Sequence, residues 1–159
     1  MDLGLAGRWV LITGASQGIG EGVAKVFAEE GCNLHLTARS RDNLERVRRE
    51  ISGAHAVEVI LHPMDLTAPG AIPRLVDAVP RIDVLINNAG VIPGGNLQSF
   101  DEQSWRAGWE LKLFGYINLT RLVYARMKAN GGGVIINDNA PWWLKAKPTA
   151  GCRCESISE

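Results

Sequence analysis

The chain has 159 residues, 46% hydrophobic and 21% charged, a length and balance that suit one globular domain with a sizeable core. Its 17 basic residues offset its 17 acidic ones, so neither a nucleic-acid partner nor an anionic membrane surface is indicated. No apolar run approaches the roughly 18 residues needed to cross a bilayer, WVLITG is too short for a signal peptide, and an odd count of 3 cysteines implies no disulfide framework and fits a reducing cytoplasm.

Along the chain, short apolar runs alternate with helical patterns. RWVLITG (8–14) ends in glycine and reads as a buried strand. Ile19, Val23, Val26 and Phe27 then recur at helical spacing, and Gly31 ends that helix. NLHLTA (33–38) is a second strand. Ser40 caps a helix whose inward stripe is Leu44, Val47 and Ile51, stopped by Gly53. On that helix Arg46, Arg48 and Arg49 are flanked by Glu45 and Glu50 and read as a solvated face.

AVEVILHP (56–63) is a third strand, followed by a helix carrying Leu75, Val76 and Val79, with Pro73 in or before its first turn. IDVLINNAG (82–90) is a fourth strand running into a loop that continues as PGGNLQ. Ser99 with Glu102 forms a capping box for a long helix to about residue 129. GVIIND (133–138) is the fifth strand. Strand and helix in repeated alternation imply right-handed crossovers and a parallel sheet covered on both faces, an α/β fold. Residues 1–139 are expected to form this domain. Residues 140–159 have neither period; this tail holds Trp142, Trp143, and a C-x-C at Cys152 and Cys154 that is too small a ligand set for a metal.

TGASQGIG (13–20) lies between the first strand and the first helix, with glycines at 14, 18 and 20. Glycine there permits a tight turn and a close approach of a pyrophosphate to main-chain N–H groups. The helix N-terminus beyond adds partial positive charge, and Ser16 and Gln17 offer side-chain donors. In a repeated β-α series this placement points to a dinucleotide.

TGASQGIG, Asp65–Leu66 and NNAG at 87–90, in this order and at these separations, resemble the classical branch of the short-chain dehydrogenase/reductase family. The resemblance covers residues 8 to about 138 and implies a Rossmann-like doubly wound sheet of order 3-2-1-4-5, with the later part of the fold missing. It further implies that Gly14, Ser16, Gln17, Gly18, Ile19 and Gly20 hold the pyrophosphate, that Asp65 and Leu66 meet the adenine, and that Asn88, Ala89 and Gly90 lie along the adenosine ribose. At the end of the second strand, Ala38 stands where an acid would accept from a ribose 2′-hydroxyl, and Arg39 follows. A guanidinium there pairs with a 2′-phosphate, so NADP(H) is favoured over NAD(H).

Family catalysis uses a serine after the fifth strand, a Tyr-x-x-x-Lys on the next helix and an asparagine within the helix before that strand. Here Asn139 and Ala140 stand at the serine position, and Lys112 stands one heptad after Trp105, where the asparagine should fall; Asn118 is too far along. Tyr124 and Lys128 do have the right spacing, but on the wrong side of the fifth strand. Leu113, Ile117 and Tyr124 share one stripe, so Tyr124 is expected to pack toward the core, with Lys128 facing helix-end carbonyls. No catalytic residue is therefore assigned.

The expected activity is hydride transfer between NADPH and a carbonyl or alcohol, with little turnover in this form. The alternatives are a non-catalytic nucleotide-binding or interaction module, and an unstable remnant. The change of character after Asp138 suggests a frameshift, aberrant splice or truncated gene model. Apolar faces that later helices would cover invite self-association.

Overall fold

The computed structural model describes residues 3–90 and 101–138. Within them, strands β1 (Trp9–Thr13), β2 (Asn33–Ala38), β3 (Val59–Pro63), β4 (Val84–Asn87) and β5 (Val134–Asn137) form one parallel sheet in the order β3-β2-β1-β4-β5. The helices are α1 (Gly18–Glu29), α2 (Arg41–Ala54), α3 (Ala71–Ala78), α4 (Glu102–Trp109) and α5 (Tyr116–Ala129). The tail from Asn139, the loop 91–100 and Ser99 lie outside the described residues.

Successive strand residues point to opposite faces, and β1 divides the core accordingly. Val10 and Ile12 join Leu34, Leu36, Val84 and Ile86 beneath α1 and α2. Leu11 and Leu85 face the other way, under Leu75 and Val76 of α3 and Leu119, Val123 and Met127 of α5. The sheet is thus doubly wound.

Several expectations hold in detail. β2 begins and ends where its apolar run does. The Ser40 side chain accepts from the Asn43 amide, 3.3 Å away, and Leu44, Val47 and Ile51 are buried. Gly31 closes α1 with φ +77°, as the Gly31 amide bonds the Ala28 carbonyl and the Cys32 amide the Phe27 carbonyl. Those two bonds satisfy carbonyls that the helix end leaves open.

Other expectations need correction. The inward stripe of α1 is Gly20, Ala24 and Ala28, flanked by Val23 and Phe27, while Ile19 and Val26 are exposed. Small side chains let the helix sit close to the sheet, and the bulkier residues are left at its flanks and outer side. α2 runs through Gly53 to Ala54. β3 starts only at Val59, the first residue in register with β2. The cap of α4 is Asp101, whose carboxylate accepts from the Ser104 amide at 2.8 Å. The long helix is also interrupted: Glu110–Gly115 is a π-helical turn between α4 and α5. β5 is not covered on both faces, since Val134 and Ile136 are exposed.

The largest correction concerns α5. Its buried face is Tyr116, Leu119, Val123 and Met127. The stripe of Leu113, Ile117 and Tyr124 faces outward, with Ile117 52% and Tyr124 59% exposed. The helix is apolar on two sides, so spacing alone does not say which one meets the sheet.

Candidate functional site

Parallel strands deliver all their C-terminal ends to one edge of the sheet. The order β3-β2-β1-β4-β5 makes the gap between β1 and β4 the point where the chain reverses its direction of winding. Ligands of open α/β sheets bind at such a crevice. Gly14 to Gly20 leave the end of β1, Arg39 the end of β2, Asp65 and Leu66 the end of β3, and Asn88, Ala89 and Gly90 the end of β4. The four predicted segments therefore meet along one rim.

The β1 and β4 ends are tied by Thr13. Its hydroxyl accepts from the Asn88 and Ala89 amides, both at 2.9 Å, and donates to the Ile86 carbonyl at 3.3 Å. The Asn88 side-chain amide returns bonds to the carbonyls of Thr13 (2.8 Å) and Gly14 (3.2 Å). The Gly14 amide bonds the Thr37 carbonyl at 2.8 Å, which holds the turn to β2 as well. Gly14 has φ +69°, and a Cβ there would lie 2.9 Å from the Ala89 Cα. A Cβ on Gly20 would run into the Gly14 carbonyl. These two glycines are required by the closeness of loop, helix and β4. Gly18 differs: its φ is +60°, but a Cβ would meet nothing within 4 Å. The space above it is an open cradle at the start of α1, where unpaired amides and the helix dipole favour an anion. Gln17 and Ile19 are exposed beside it and Ser16 is half-buried.

Arg39 is exposed at the end of β2. Asp65 accepts from the Thr67 hydroxyl at 2.7 Å and the Thr67 amide at 2.9 Å. Those bonds, and then the positive charge of Arg39, hold the Asp65 carboxyl below the usual range. Leu66 is partly buried against the core under α3. A guanidinium and a carboxylate thus stand near each other at one end of the rim, with the open cradle beyond them. This donor set fits an adenine dinucleotide.

Three contributors were not anticipated. Thr13 is one, and its signal was only its place before the glycine run. Asn87, the first residue of NNAG, is another: its side-chain amide donates to Thr120 of α5 at 3.0 Å and to Asn137 of β5 at 2.8 Å. The third is Arg46, which donates to the Ser16 carbonyl at 3.3 Å and pairs with Glu21 at 2.7 Å and Glu50 at 2.8 Å. Arg46 on α2 therefore braces the glycine turn as well as lying on a solvated face. Tyr124 and Lys128 stand on the exposed side of α5, opposite the residues that pack on the sheet. The serine position, Asn139 and Ala140, lies outside the described residues.

Fold and rim together define an α/β domain of the doubly wound class, with an open groove at its switch point. A family model described as short chain dehydrogenase matches residues 8–140, and the chain belongs to that family. It is 35% identical to oxidoreductase UcpA of Salmonella typhimurium, over 91% of this chain and 56% of that protein. L-sorbose reductase from Gluconobacter frateurii, solved with NADPH and L-sorbose, superposes with a TM-score of 0.80 at 33% identity, covering 86% of this chain and 54% of its own. A metagenomic short-chain oxidoreductase in complex with NADP gives a TM-score of 0.76 at 37% identity, over 84% and 62% of the two chains. The chain spans about half the length of such curated relatives.

Proposed function

We propose that this chain binds NADP(H) along the β1–β4 rim and belongs to an oxidoreductase system that exchanges hydride with a carbonyl or alcohol. The bound cofactor supplies the hydride, and the protein contributes binding and orientation. The observation that carries this reading is the Thr13–Asn88 lock, which holds an open glycine cradle on one side and the NNAG loop on the other. Gly14, Ser16, Gln17, Gly18, Ile19 and Gly20 take the pyrophosphate, Asp65 and Leu66 the adenine, and Asn88, Ala89 and Gly90 the adenosine ribose. Arg39 recognises a 2′-phosphate by charge, and the NADPH and NADP bound by the neighbours named above support that choice.

In this reading residues 1–139 make up the dinucleotide-binding unit, and 140–159 lie beyond it. No residue of this chain is assigned to proton transfer, so little turnover is expected. The cytoplasm is the compartment that thiol usage favours, with Cys32 free and buried. Among the described residues no helix is long and apolar enough to cross a membrane.

NADPH titration followed by cofactor fluorescence, with a ketone-reduction screen on the same sample, tests the reading. Binding with turnover supports an enzyme, and binding without turnover a nucleotide-binding module. No binding leaves an unstable remnant and overturns the proposal. Exposed apolar residues, Leu113 in the π turn with Ile117 and Tyr124 on α5, and Val134 and Ile136 on β5, favour self-association in addition. Sedimentation across a concentration series checks it, and a monomer throughout would refute it.

A further inference from the structure

Resting on the cofactor reading above, we propose that Lys112 is a cofactor-binding residue: its ammonium holds an oxygen on the second-nucleotide half of a dinucleotide, the half that lies beyond the pyrophosphate.

Three observations converge on it. Lys112 lies in the π-helical turn Glu110–Gly115 that interrupts an otherwise regular helix. Such turns widen the backbone and re-aim a side chain, and they recur at functional sites. The side chain runs along the NNAG loop, since a Cβ on Gly90 would meet the Lys112 Cδ at 3.5 Å. Gly90 is itself exposed and lies two residues past Asn88, which Thr13 locks to the glycine turn. The ammonium stands two bonds beyond that Cδ, on a half-buried side chain at the rim of the groove.

The sheet order gives the direction. Arg39 and Asp65 mark the end over β2 and β3, and the cradle at Gly18 lies over β1. A dinucleotide with its adenine at the first end and its pyrophosphate at the cradle must send its second nucleotide over β4 and β5. Lys112, beside Gly90 at the end of β4, places a cation on that side of the Asn88–Gly90 loop. Asn87 anchors this side, bonding α5 through Thr120 and β5 through Asn137. The rest of the helix is thereby fixed relative to β4, and the π turn is set against a firm neighbour. A flexible stem with three donors suits ribose hydroxyls or a phosphate oxygen.

The test separates the two halves of the ligand in the full 159-residue chain. Dissociation constants are measured for NADPH and for 2′,5′-ADP, which carries the adenine half alone. Lys112→Gln should weaken NADPH by about tenfold, the usual scale for a charge-assisted hydrogen bond, and leave 2′,5′-ADP within about twofold. Lys112→Arg should keep most of the NADPH affinity, and thermal melting of the variants should match the parent. Equal weakening of both ligands means a structural role and overturns the proposal, as does no change for either. If the parent chain binds 2′,5′-ADP but NADPH no more tightly, the adenine half stands and the role of Lys112 falls. If the parent binds neither, the cofactor reading itself fails and takes this one with it.

Discussion

The Thr13 hydroxyl accepts two backbone amides and donates to a carbonyl, so one side chain joins the ends of β1 and β4 at the lip of the groove. Thr13→Val keeps the shape but leaves the Asn88 and Ala89 amides without their acceptor. A loss of about 2 kcal/mol in urea unfolding is expected, with NADPH binding impaired, while Thr13→Ser should retain most of both. At the other end of the rim, Arg39→Asp should exchange the preference for NADPH over NADH, read from paired titrations; an unchanged ratio would remove Arg39 from the site. Titration adds a third residue-scale expectation. His35, 1% exposed, shares a 3.0 Å hydrogen bond with His62 and stacks on Trp9 at 4.5 Å. Burial, and then the neighbouring His62, push the His35 imidazole from 6.5 down to about 4, and burial lowers His62 as well. Between those two values the unfolded chain holds more protons than the native one, so stability must rise with pH across that window. Glu21 adds a second acid-sensitive step. Arg46 and Lys25 lower its carboxyl from 4.5 to about 2, giving stability that is present above the higher value and lost as pH falls toward the lower. Urea midpoints should therefore drop from pH 7.5 to 5 and again toward 3. A flat midpoint over the first interval, or one unaltered by His35→Gln, would contradict the role of the histidine.

The helix preceding β5 shows how far an element departs from its own periodicity. It carries one apolar stripe toward the sheet, Leu119, Val123 and Met127, and another toward solvent, Leu113, Ile117 and Tyr124. Leu119→Ala should cost about 2–4 kcal/mol, because it opens a cavity between α5, α3 and the sheet. Ile117→Ala should change stability by less than about 0.5 kcal/mol, because little packing is lost. Chemical denaturation of the two variants distinguishes the faces directly; equal costs would mean the outer stripe is covered in solution. α1 shows the reverse economy of size. Its sheet-facing residues are glycine and alanine, and the larger Val26 is left 57% exposed. Close approach of this helix keeps its N-terminus over the cradle at Gly18.

At the scale of the molecule, β5 is the terminal strand of the sheet among the described residues, and Val134 on it is 54% exposed. An open strand edge beside exposed β-branched residues is a site for pairing with other chains. Val134→Lys should reduce self-association in sedimentation and leave NADPH affinity within about twofold, since Val134 opens β5 at the end away from the rim.

Much of this fold was legible because local rules and tertiary structure agree. The run NLHLTA is β2 to the residue, the Ser40 cap and the stripe of α2 stand as read, and the glycine spacing marks the turn at the crevice. Other features were illegible for one physical reason: they depend on which surfaces meet. Periodicity names a stripe but not its direction when two stripes are apolar, so α5 was turned the wrong way. The Thr13–Asn88 lock joins residues 75 positions apart, and the closeness of Lys112 to the space beside Gly90 comes from a π turn that no spacing announces. Composition, strand–helix alternation and the three motifs determined the family and the architecture, because short-range patterning and turn chemistry are written in consecutive residues. Which side chains stand at the groove, and which apolar faces stay open to water, only three-dimensional packing decided, because each depends on neighbours brought from distant parts of the chain.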